Sequence, residues 1–165
     1  MRLLFLLIAS LALFLGSCSS KGGGHAPPPL NKEWLVGKWK NVSTALFFSG
    51  CEFKEGGAVT ITFQSMKQPV TGRYTWSGER TVDVEYPQEA EVREAYQTAA
   101  KEYKEDIKKR IESKDLDPKA GPSIMGMVPD KIPEKEALRV GISDPKYLIL
   151  VRIEDGATWN FEKTD

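Results

Sequence analysis

From Gly37 onward the chain alternates apolar and polar residues with a period of two, in short runs separated by glycine turns. Only a strand sends successive side chains to opposite faces, so this pattern commits the chain to half-buried sheet. Val59, Ile61 and Phe63 share one face, and Thr60, Thr62 and Gln64 the other. Tyr74 and Trp76 oppose Arg73 and Thr75, and Val82, Val84 and Tyr86 oppose Thr81, Asp83 and Glu85. Near the end Trp159 and Phe161 oppose Thr158, Asn160 and Glu162. The inward set is β-branched and aromatic, as a pleated surface against a core prefers. Glu55-Gly56-Gly57, Ser77-Gly78-Glu79 and Asp155-Gly156 place glycine where a tight hairpin needs positive φ. Strands joined in this way pair with their sequence neighbours, which predicts an antiparallel meander. Tyr147 to Ile153 is apolar on both faces, so a strand covered on both sides is expected there.

One segment breaks the alternation. Pro87 ends a strand, and Val92, Tyr96, Ala99, Tyr103, Ile107 and Ile111 then recur every three or four residues. That spacing predicts a helix from Glu89 to about Ser113 with one narrow apolar stripe. Glu89, Glu91 and Glu94 near its start and Lys108, Lys109 and Arg110 near its end complement the helix dipole. Its stripe either packs on its own domain or presents Tyr96, Tyr103 and Ile107 to a partner. Asp117-Pro118 and Gly121-Pro122 close the segment, and Ile124 to Pro129 reads as an apolar loop. The expected insertion covers residues 88–116.

The amino-terminal residues carry a different message. Met1-Arg2 precedes an uncharged apolar run from Leu3 to Leu15, the layout of a secretory signal over residues 1–17. At about 13 residues the run falls short of the roughly 20 that a spanning helix needs. Leu15-Gly16-Ser17-Cys18 resembles the bacterial lipobox. The resemblance implies cleavage before Cys18, a diacylglyceryl thioether on its sulfur and acylation of the new amino terminus. Two or more chains are what stable anchoring requires. Ser19 follows where the inner-membrane retention signal would be aspartate, which implies the periplasmic face of the outer membrane in a diderm. Residues 18–29, rich in Gly, Ser and Pro, form a tether, and residues 30–165 one domain.

What is missing narrows the chemistry. The whole chain has 23 basic and 23 acidic residues, and Arg2 is the only charge in the signal, so the remainder is balanced to within one charge. The basic excess of a nucleic-acid binder is absent. His25, the single histidine, lies in the tether, which argues against histidine catalysis or a zinc site in the domain. No phosphate loop, nucleophile elbow or metal-spaced cysteine pair occurs. A non-catalytic protein without metal or cofactor is expected. Cys51, left unpaired once Cys18 is lipidated, reads as a buried thiol.

Asn31 to Trp39, a short helical turn running into Gly37-Lys38-Trp39, resembles the opening of lipocalins and of lipocalin-like domains in bacterial lipoproteins. Glu52 to Gly57, Gly72 to Trp76 and the strands around Asp155-Gly156 look like the same class of domain. The resemblance implies a mainly β fold whose meander closes into a small barrel, with Gly37 bending the chain at a closed floor that Trp39 plugs. A small barrel or sandwich of another topology is the alternative. Trp39, Phe63, Tyr74, Trp76, Trp159 and Phe161 are the expected barrel-lining residues, and they either fill the interior or line a pocket. Two partners follow: a small apolar or amphipathic ligand inside the barrel, or another envelope protein docked on the helix or a sheet edge. In both, the membrane is reached through the lipid on Cys18.

Overall fold

The alternating segments all become strands, and their hairpins close them into a ring. The computed structural model describes residues 32–43, 47–144 and 146–164, so Cys18 and the signal lie outside the described residues. A single turn of helix, α1 (Lys32–Leu35), leads into β1 (Gly37–Asn41), β2 (Phe48–Phe53), β3 (Ala58–Phe63), β4 (Val70–Trp76) and β5 (Thr81–Glu85). Two helices follow, α2 (Ala90–Glu112) and α3 (Gly121–Gly126). The chain then completes β6 (Lys135–Asp144), β7 (Tyr147–Arg152) and β8 (Thr158–Thr164). Each strand pairs antiparallel with the next, and β8 returns to β1 through pairs such as Lys40 with Glu162, giving a closed eight-stranded barrel. Closure leaves none of these strands as a free edge.

The two ends differ. At one end α1 lies across the strands: Leu35 is buried, and its carbonyl accepts a 2.8 Å bond from the Trp39 indole. Gly37 there takes φ +137°, a conformation open to glycine, and the Lys163 ammonium sits 5.3 Å from the centre of the Trp39 ring. The Tyr74 hydroxyl donates to the Lys54 carbonyl at 3.0 Å on the same side. This is the closed floor that the Gly-x-Trp opening implies. The β1–β2, β3–β4 and β7–β8 connections gather at the other end, the mouth, and the chain between β5 and β6 crosses it.

That crossing segment corrects two expectations. Ile124 and its neighbours are not a plain loop, because Gly121–Gly126 forms a short helix with Pro122 in its first turn, where a missing N–H costs nothing. Nor is β7 covered on both faces. Leu148 and Leu150 point inward and are buried, but Tyr147 and the following Ile153 are 41% and 47% exposed. The long helix α2 lies over the mouth, against Phe47 and Phe63, and not along the outside of β7. With 23 residues and many charges, α2 is no membrane span, and no described helix is long and apolar enough to be one.

Candidate functional site at the barrel mouth

Of the six expected lining residues, Trp39, Phe63, Tyr74, Trp159 and Phe161 are buried in the interior. Trp76 keeps the inward parity but is only half-buried at the floor-side rim. Phe48 stacks edge-on against Trp159 at 5.7 Å and Phe161 at 5.1 Å, forming an aromatic layer near the mouth. Such pairs contribute about 0.5–1.5 kcal/mol each beyond the area they bury.

Tyr96, Tyr103 and Ile107 do not face outward. All three are at most 2% exposed, turned inward from α2. The Tyr96 ring meets Phe47 at 5.5 Å and Phe63 at 5.1 Å, both nearly perpendicular, and Tyr103 lies 5.3 Å from Phe47. The two tyrosines of the stripe are therefore seated on the chain's own barrel, while Ile107 and Ile111 lie against Gly121 of α3.

Beneath this cover sits a polar cluster that alternation alone did not reveal. Arg152 ends the inward row of β7 after Leu148 and Leu150, and is 5% exposed. Its guanidinium grips Asp155 with two bonds of 2.7 and 2.6 Å, reaches Glu136 at 3.3 Å, and donates to the Met127 carbonyl at 3.1 Å. Glu136, in the inward row of β6 with Leu138 and Val140, also accepts a 2.7 Å bond from the Tyr86 hydroxyl. The Arg152 guanidinium lies 5.4 Å from the centre of the Trp159 ring. A charge at an inward position on each of two paired strands was the available sequence signal. Its cost in isolation is severe unless paired, and here every bond closes: no described buried side-chain polar atom lacks a partner.

The space left among Phe47, Phe63, Tyr86, Tyr96, Glu136 and Trp159 is about 20 Å³. Ligand pockets commonly run to about 300–1,000 Å³, so the space beneath the cover is too small for a ligand. A larger hollow of about 350 Å³ lies outside, over β1 to β3, where Gly50 leaves a dip between Lys38, Lys40, Thr60 and Thr62. It is an open surface groove, whereas the Arg152–Glu136–Asp155 cluster is enclosed at the mouth. Among the described residues, no group of three or more His, Cys, Asp or Glu side chains is placed to hold a metal. The chain matches no family model, and no curated protein matches it.

The buried acids set the pH response. Burial pushes the Cys51 thiol and the Tyr86 and Tyr96 hydroxyls up, and Glu136 beside Tyr86 adds to the effect. In the unfolded chain a thiol ionises near pH 8.5 and a phenol near pH 10. A group whose folded pKa is raised contributes stability below its unfolded pKa and loses it as pH climbs through the folded one. Urea midpoints are therefore expected to hold to about pH 8 and fall steadily above about pH 9. A flat profile to pH 11 would show that these groups ionise freely in the fold.

Proposed function

We propose that the chain is an exported lipoprotein, anchored through Cys18, whose lipocalin-like barrel is a non-catalytic module taking up a small apolar or amphipathic molecule through its mouth. The observation that carries this reading is the way the mouth is covered. The insertion leaves the barrel after Glu85 and returns at Lys135, two residues paired with each other. It is thus joined at one stem, and what it shields is the aromatic layer at the mouth. A cover of this kind can lift without unpairing a strand, and a ligand would then occupy the place that Tyr96 and Tyr103 vacate. In sequence the tether precedes α1, which lies on the closed floor at the end opposite the mouth. Docking of another envelope protein is the second reading of the sequence; the helix stripe it would use is buried and the closed barrel offers no free strand edge.

The test has two parts. Residues 30–165 are expected to take up a fluorescent fatty acid saturably, or to carry a co-purified ligand in native mass spectrometry. Repeated absence of both would end the uptake reading. Separately, Cys18→Ala in the full chain should abolish lipid labelling and move the protein out of the membrane fraction. Unchanged labelling would remove the anchor.

A further inference from the structure

We infer that the insertion, residues 87–134, is a hinged lid and that Arg152 is its latch. This deepens the uptake reading by naming what regulates access to the same mouth. The first ground is that the insertion is built as one body. Gly121 brings α3 so close to α2 that a Cβ there would strike the Ile111 side chain. The Lys104 ammonium bonds the Asp130 carboxylate at 2.6 Å, tying α2 to the segment beyond α3.

The second ground is the stem. Tyr86 N–H donates to the Glu134 carbonyl at 3.0 Å, and the Gln88 amide bridges the Tyr86 and Pro133 carbonyls at 3.3 and 3.1 Å. Pro87 and Pro133 flank these bonds with fixed φ. The stem therefore has a defined geometry about which a rigid body can swing, with few residues absorbing the change.

The third ground is Arg152 itself. Three of its bonds go to the barrel, to Asp155 and Glu136, and one goes to the Met127 carbonyl at the end of α3. When the lid lifts, Arg152 keeps both carboxylates and loses one neutral acceptor, so the charge is never left unpaired. A buried ion pair often adds little to stability over apolar replacements. Placed across the boundary between lid and barrel, it instead gives the closed state one geometry and a low cost of release. Lysine at this position would keep the charge but lose the planar fork that reaches three partners at once.

The test is hydrogen exchange on the full chain in detergent. In Arg152→Lys, amides of residues 90–134 are expected to exchange about tenfold or more faster, the loss of one charged hydrogen bond. Amides of β2 to β4 should stay within about twofold, since they belong to a different opening unit. If lid and barrel amides accelerate together, or the lid amides do not change, the latch is overturned. Should Arg152→Lys fail to fold, the native protein decides. Its lid amides must then open through a step with a weaker urea dependence than the barrel amides, and a shared dependence would overturn the lid. A lid that opens in Arg152→Lys with no ligand taken up would leave the latch standing and defeat the uptake reading alone.

Discussion

Phe161→Ala is expected to lower the stability of the barrel by about 3–5 kcal/mol, the range for a fully enclosed phenylalanine. The side chain is 0% exposed and meets Phe48 edge-on at 5.1 Å. Its strand pairs on both sides, with Asn41 of β1 across from Phe161 itself and Leu148 of β7 on the other flank. A helix beside a cavity can shift to fill it, but a strand in a closed barrel cannot move inward without changing the tilt and stagger that closure fixes. The cavity is therefore expected to persist, which places the cost in the upper part of the range. Phe161→Leu, which conserves most of the volume, should cost under about 1.5 kcal/mol. Urea denaturation of both variants checks the pair. A loss below about 1 kcal/mol for Phe161→Ala would mean that the interior is not packed as described.

The inward row to which Phe161 belongs was legible because alternation reports burial directly. Val59, Ile61 and Phe63 are buried while Thr62 and Gln64 are exposed, as their spacing predicts. The helix was equally plain: its stripe placed it between Glu89 and Ser113, and it runs Ala90–Glu112. What the stripe could not say was its target. A narrow apolar face fits a partner or its own barrel alike, and the choice is made by the mouth, whose Phe47 and Phe63 meet only once β2 and β3 pair. The latch cluster was hidden for a related reason. Glu136 and Arg152 are 16 positions apart and look like solvated charges until β6 and β7 pair. An arginine or glutamate at an inward position is the clue, and it becomes readable once the register of the row is trusted over the polarity of the residue. Lys163, which covers Trp39, stayed unseen because it follows Phe161 in the inward row at the very end of the sheet.

Gly72→Ala should be among the most damaging small substitutions in the chain, at about 3 kcal/mol or more, the top of the usual overpacking range. Its sign runs against the local rule, since alanine normally gains about 0.5–1 kcal/mol over glycine in a strand. Gly72 lies in the inward row of β4, between Val70 and Tyr74, and pairs with Val59. A Cβ there would collide with the carbonyl oxygen of Glu85 and come within 3.6 Å of the Tyr86 Cα. Those atoms belong to the last residue of β5 and the one after it, where the chain leaves the sheet to begin its path over the mouth. The missing side chain is what lets β5 curl inward, so that the Tyr86 hydroxyl reaches Glu136. Gly121 provides the comparison. A Cβ at Gly121 also meets an atom closely, but that atom is the terminal methyl of Ile111, which can turn aside. Backbone has no such freedom. Gly121→Ala is accordingly expected to cost about 1 kcal/mol, felt mainly as faster exchange within the lid, whereas Gly72→Ala should lower the urea midpoint of the whole barrel. If the two variants prove equally stable, the close approach of β4 to the end of β5 is not what shapes the mouth.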